Sequence, residues 1–208
     1  MKLTAEKFNE GMTVQQYMDQ IKVNKQPILE IFGSVETPAE DKAFFDALPE
    51  PLRLAVFTAD WCGDAVSTSP AIFRLAEDTD GLDIRVFNRD EELELTNSFL
   101  PEHRHGTVPV FAVFDSQMRE VGRFIETARE LVPVLDDMEK ELASLAETTS
   151  DDAANRATVR GKRMAYRVLH AREWGHTITR EFAIVVKDGL ALPLDQRPAE
   201  GGTEWPQQ

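Results

Sequence analysis

The 208-residue chain contains one cysteine, Cys62, so no disulfide, structural or catalytic, can form within it. That usage is consistent with a reducing compartment. No apolar run approaches the roughly 18 residues a membrane-spanning helix needs, and residues 1–7 lack the apolar stretch of a secretory signal. The expectation is a cytoplasmic protein that does not enter a membrane. Positive charge is scarce as well: 23 Lys and Arg face 37 Asp and Glu, a formal net charge of −14. The deficit is confined to residues 1–150, with 14 basic and 29 acidic residues, whereas 151–208 hold 9 and 8. A body this acidic repels nucleic acid and anionic lipid, whose binding depends on phosphate neutralisation.

Against these scarcities stands a hydrophobic content of 42%, enough to build a real core. The first 49 residues read as a helical extension. Thr13-Val14-Gln15-Gln16 fits a capping box, with Val14, Tyr17, Met18 and Ile21 on one helical face. A second helix is expected around 27–32. A third begins at Thr37-Pro38-Ala39-Glu40, where a cap precedes a first-position proline.

From residue 50 to 147 the texture alternates. Residues 52–58 (LRLAVFT) and 82–87 (LDIRVF) read as buried strands, with helices at about 65–78 and 90–99. Strands at 110–114 and 119–125 follow, and then a helix carrying Leu131, Leu135, Met138 and Leu142. Its start is ambiguous, because Pro133 deep inside a helix would be destabilising by about 3 kcal/mol. The order β-α-β-α-β-β-α gives a mixed sheet with helices on both faces, an α/β fold. Residues 148–192 read as a helical C-terminal extension, with one helix over 151–171 and a break at Gly175; over 178–190 Ile178, Phe182, Val185 and Val186 suit a helix, the reading taken, while Phe182, Ile184 and Val186 suit a strand. The stretch 193–208, rich in Pro, Gly and Gln, reads as a loose tail.

The segment that carries chemistry is Ala59-Asp60-Trp61-Cys62-Gly63-Asp64-Ala65, between the first strand and the helix after it. A cysteine in the first turn of a helix meets unpaired backbone N–H groups and the positive end of the helix dipole, which favour thiolate. Gly63 lets the backbone approach a partner closely. The competing reading is a buried cysteine that serves as a small hydrophobe. The helix terminus favours the anion by ~0.3–1 kcal/mol. Asp64, and Asp60 beside it, would oppose it by roughly 0.7 kcal/mol each at ~6 Å in water. The near cancellation predicts a modestly depressed thiol pKa.

Trp61-Cys62-Gly63-Asp64-Ala65 resembles the Trp-Cys-Gly-X-Cys motif of the thioredoxin family, with Ala65 in place of the second cysteine. Pro70, eight residues after Cys62, matches the family's helix proline. Val108-Pro109 matches its cis-proline, and Val121-Gly122 its strand glycine. The resemblance covers about residues 50–147 and implies a thioredoxin-like fold with extensions at both ends. It also implies a substrate groove formed by Trp61, Gly63, Asp64, Val108 and Pro109, with Cys62 as the nucleophile. A second departure accompanies Ala65: Val56 stands where the family carries the buried acid that moves the resolving thiol's proton. A dithiol cycle is therefore closed to this chain.

What the resemblance leaves open is a monothiol redox protein, resolved by a low-molecular-weight thiol, a second protein or another subunit of a homodimer. The alternative is a catalytically degenerate thioredoxin fold that serves as a binding or scaffold module. No cofactor is implied. His103 and His105 have a metal-ligand spacing but read as solvated loop residues, so no metal site is assigned. Arg156, Arg160, Lys162, Arg163, Arg167, Arg172 and Arg180 make residues 156–180 basic. This segment is expected to dock on the protein's own acidic domain or on that of a second subunit.

Overall fold

The computed structural model describes residues 2–147 and 153–203. Before the first strand run α1 (Ala5–Asn9), α2 (Val14–Gln20), α3 (Lys25–Ser34) and α4 (Ala39–Asp46). Then follow β1 (Leu52–Thr58), α5 (Gly63–Asp78), β2 (Leu82–Asn88), α6 (Leu93–Asn97), β3 (Val110–Phe114), β4 (Glu120–Ile125) and α7 (Val132–Glu147). The chain continues through α8 (Ala153–Leu169), α9 (Ala171–Ala191) and β5 (Ala199–Gly202). Strand order is β2-β1-β3-β4-β5. β1 pairs with β2 and β4 with β5 in parallel, while β3 is antiparallel to both β1 and β4. The protein is α/β, a mixed sheet covered by helices.

Period-two alternation in the central strands feeds two cores. Leu54 and Val56 of β1, with Phe111 and Val113 of β3, join the apolar faces of α2, α3, α5 and α9. Ala55, Phe57, Val110, Ala112 and Phe114 point the other way, onto Phe8 of α1, Leu95 of α6 and Phe99. Burial on both faces explains the near-continuous apolar run of β1.

Local signals act as elementary chemistry requires. The Gln16 N–H donates to Thr13 Oγ1 at 3.2 Å and the Thr13 N–H to Gln16 Oε1 at 2.8 Å, which closes the capping box of α2. Pro133 sits in the first turn of α7, where a helix has no acceptor for its N–H in any case. Thr37 does not cap α4: Pro38 holds the N-cap position, and the Thr37 hydroxyl donates to Asp78 Oδ2 at 2.7 Å.

Two expectations for the C-terminal part are corrected. Gly175 does not break a helix but lies inside the 21-residue α9. A Cβ there would stand 2.9 Å from the Val35 methyls, so glycine permits close packing. The supposed loose tail also contributes an edge strand, β5, parallel to β4. Its composition hid it, because this strand is held by backbone pairing and close approach rather than by an apolar face. A Cβ on Gly201 would lie 2.2 Å from Val185 Cγ2, and Gly202 has φ +86°. The Gly202 N–H donates to Glu181 Oε1 at 3.0 Å, and Arg104 Nη1 donates to the Thr203 carbonyl at 2.7 Å. The expected helix start at Asp151 lies outside the described residues.

α9 is part of the main core. Phe182 lies 6.1 Å from Phe45, 6.4 Å from Phe111 and 6.1 Å from Phe124, ring centre to ring centre. Gly189 brings its backbone so close to β4 that an added Cβ would be 2.0 Å from the Val121 carbonyl oxygen. Gly189→Ala is therefore expected to lift the end of α9 off the sheet and destabilise the fold by about 1–3 kcal/mol. A lowered urea midpoint with an unchanged slope would show it.

Candidate functional site

Cys62 ends the turn after β1 and is the N-cap residue of α5, with extended backbone angles φ −79° and ψ 130°. From this position it makes no capping hydrogen bond, but the backbone N–H groups of Ala65 and Asp64 at the helix start favour its thiolate. The thiol donates to the Val108 carbonyl oxygen at 3.3 Å, and the Val108–Pro109 peptide bond is cis. Cys62 and Val108 thus meet across 46 residues of sequence. Ala65 is 2% exposed, and Val56 is fully buried among apolar side chains of β1's core face.

Burial pushes the Cys62 thiol above its ordinary value, and the charge of Asp64 adds to the rise. The N–H groups of Ala65 and Asp64 and the charge of Arg167 act in the opposite direction without overcoming it. The expected modest depression is corrected, because it considered an exposed helix terminus and omitted desolvation. Asp60 is engaged elsewhere. Its carboxylate accepts the Lys22 and Val23 N–H groups at 2.8 and 2.9 Å, and its carbonyl accepts from Asn24 Nδ2 at 2.9 Å. These bonds fasten the segment between α2 and α3 beside the cysteine.

Trp61 is 47% exposed, as a groove wall would be, yet it is held. Its indole N–H donates to Asp90 Oδ2 at 2.8 Å, and the Arg89 guanidinium lies 5.2 Å from the ring centre. Together Trp61, Gly63 and Asp64 line one side of a groove of about 450 Å³. Cys62, Val108 and Pro109 do not line it; the thiol instead turns to the Val108 carbonyl.

The other wall comes from α8: the basic segment docks on the protein's own acidic domain, as expected, and its landing beside Trp61 and Gly63 is what the sequence analysis did not foresee. Arg160, Arg163 and Arg167 line the groove from one face of that helix. Arg167 is 4% exposed; its Nη1 donates to Ser67 Oγ at 2.8 Å and its Nη2 to Asp64 Oδ1 at 3.2 Å. Its guanidinium lies so close over Gly63 that a Cβ there would be 3.1 Å from Nη2. Arg163 pairs with both oxygens of Glu139 on α7 at 2.6 and 2.7 Å, and Arg160 Nη2 donates to Asn24 Oδ1 at 2.9 Å. The spacing 156, 160, 163, 167 is a helical stripe, a legible signal, but nothing in the sequence says where the stripe lands. Among the described residues, no group of three or more His, Cys, Asp or Glu is placed to hold a metal ion, His103 and His105 included.

Comparison with known proteins gives a family and a fold. A family model described as thioredoxin matches residues 11–141, more than half of the chain. No curated protein sequence matches significantly. Among solved structures, a Pseudomonas aeruginosa protein of unknown function is similar at 16% identity and TM-score 0.56, covering 82% of this chain and 95% of that one. An HIV epitope scaffold is similar at 16% identity and TM-score 0.53, with 80% and 93% covered. At these identities the likeness is one of fold.

Proposed function

Since the chain belongs to the thioredoxin family, as the match over residues 11–141 shows, we propose that it is a monothiol redox protein with Cys62 as the nucleophile. The observation that carries this reading is the placement of Cys62 as the N-cap residue of α5, at the positive end of that helix, with its thiol donating to the Val108 carbonyl. A thiolate formed there is favoured by the N–H groups of Ala65 and Asp64 at the helix start.

The reaction is thiol–disulfide exchange. The Cys62 thiolate attacks one sulfur of a partner disulfide, an S–S bond forms to Cys62, and the other partner sulfur departs with the electron pair as thiolate. A second thiol, from a small molecule, another protein or another subunit, then attacks the mixed disulfide and returns Cys62 as thiolate. With Ala65 in the resolving position, this second thiol cannot come from α5.

A binding or scaffold module remains the second reading, favoured by two observations. Burial raises the thiol pKa and Arg167 of α8 packs over Gly63, features that slow a nucleophile rather than prime it.

The pH dependence of Cys62 alkylation separates the two. Because burial raises the folded pKa, the reaction midpoint is expected above the free-thiol value of about 8.5. Alkylation in the native chain, together with mixed disulfides formed on Cys62, supports the redox reading. A native thiol silent at every pH, with a reactive denatured control, would leave only the binding module.

A further inference from the structure

We propose that Arg89 is a positioning residue of the Cys62 site: its guanidinium ties Trp61 to the loop before cis-Pro109, and so keeps the Val108 carbonyl seated on the thiol. This deepens the redox reading above, and its use in exchange rests on that reading.

Arg89 directly follows β2, and its own N–H donates to the Thr58 carbonyl at the end of β1 at 2.9 Å. Its backbone is thereby fixed beside the turn that carries Cys62. A guanidinium is a planar fork of N–H donors that holds several acceptors at set angles. One side of the fork serves Trp61. Nη1 donates to Asp90 Oδ1 at 2.8 Å, Asp90 Oδ2 accepts the indole N–H at 2.8 Å, and the guanidinium lies 5.2 Å from the ring centre. The other side serves the loop that leads into Val108. Nε donates to the Gly106 carbonyl at 3.2 Å, and Nη2 donates to the same oxygen. Gly106 has φ +89°, and a Cβ there would stand 3.1 Å from Arg89 Nη2. Glycine therefore both makes the turn and admits the side chain.

Gly106 lies two residues before Val108, whose carbonyl accepts the Cys62 thiol at 3.3 Å. Beyond Val108 the chain is fixed by the Glu126 N–H, which donates to the Pro109 carbonyl at 2.8 Å. Before Val108 the loop is held at Gly106, by Arg89 on its carbonyl and by Asn97 Oδ1, which accepts its N–H at 2.7 Å. The Thr107 N–H adds a bond to the Arg104 carbonyl at 3.0 Å. A carbonyl can accept from the thiol but gains nothing from the thiolate, so a well-seated Val108 favours the protonated form and slack in the loop releases it.

Around the thiol stand Asp60 and Asp64 on its own turn and helix, Arg167 from α8 and Tyr17 from α2, while the loop carries His103 and His105. Arg89 bonds to none of these side chains. Loss of its positive charge alone would disfavour the thiolate, whereas loss of its hold on the loop favours it. The two effects have opposite signs, which makes the role testable.

The test is the pH profile of iodoacetamide alkylation on the intact chain, for the parent and for Arg89→Met, Arg89→Lys and Asn97→Ala, each checked for folding by its urea midpoint. In Arg89→Met the alkylation midpoint is expected to fall by about half to one pH unit, despite the lost charge. Asn97→Ala loosens the same loop with every charge in place and should lower the midpoint too. Arg89→Lys keeps the charge but not the fork, and should show a smaller fall. A midpoint that stays or rises in the folded variants overturns the proposal, and so does a thiol silent in the parent and in every variant. If Arg89→Met does not fold, Asn97→Ala decides in the same way. Mixed-disulfide formation with 2-hydroxyethyl disulfide, read by mass, keeps the two readings apart. Exchange by the parent with no shift in the variants overturns the role of Arg89 and leaves the redox reading in place. The expected shifts with no exchange by any chain support the seating of the thiol by Arg89 and remove the redox reading.

Discussion

Ala65→Cys is expected to convert a chain incapable of an internal disulfide into one that closes a disulfide on mild oxidation. Cys62 is the N-cap residue and Ala65 the third residue of α5. Residues so placed fall within the ~4.4–6.8 Å Cα separation that a disulfide needs. After oxidation the variant should run as a monomer with no titratable thiol, whereas the parent keeps one per chain. Turnover on protein disulfides should still be slow, because fully buried Val56 offers no proton carrier to the new thiol. If the variant instead forms only intermolecular dimers, the start of α5 has drifted from a geometry that supports exchange.

The second large effect is expected from Arg167→Ala. The change removes a buried guanidinium that holds α8 against Ser67 and Asp64, and leaves the Ser67 hydroxyl and one Asp64 oxygen without their donor. Breaking a buried ion pair destabilises by about 3–5 kcal/mol, but the Asp64 side chain is 32% exposed and solvent screens part of that. A loss of about 2 kcal/mol is the expected outcome, read as a lower urea midpoint. The thiol should respond too. Arg167 favours the Cys62 thiolate, so its removal pushes the thiol further up, and the alkylation midpoint moves to higher pH. Arg167→Lys keeps the charge but not the two-pronged contact, and should recover part of the midpoint shift with less of the stability. An unchanged alkylation profile in Arg167→Ala would mean that the arginine is only a packing element.

Stability should follow the same proton. A thiol raised in the folded state gives a contribution that is full below the unfolded thiol value and is lost as pH rises through the folded value. Arg167→Ala should widen that window upwards and deepen the loss at its alkaline end.

Much of this site was legible because its chemistry is local. Cys62 follows a mostly apolar strand and opens a helix, and that alone places it at a helix N-terminus. Residues 52–58 could only be a strand buried on both faces, and the capping box at Thr13 and Gln16 fixed the start of α2. Where the reading failed, the cause was non-local. β5 has no apolar alternation to announce it, and it exists because β4 offers an open edge and Glu181 accepts the Gly202 N–H. Gly175 resembles a helix breaker until Val35 is seen packed against it.

The sequence by itself determined the α/β order, the position of the lone cysteine at a helix start, and the absence of any resolving thiol within the chain. Those follow from periodicity, capping and residue counts, which act over a few neighbours. Only the tertiary structure decided the state of that cysteine. Burial, a property of the whole assembly, outweighs the helix terminus and raises the thiol pKa. Asp60 is turned to the backbone of Lys22 and Val23. A helix a hundred residues away delivers Arg167 to the groove, because the acceptors that satisfy a buried guanidinium, Asp64 and Ser67, lie on α5.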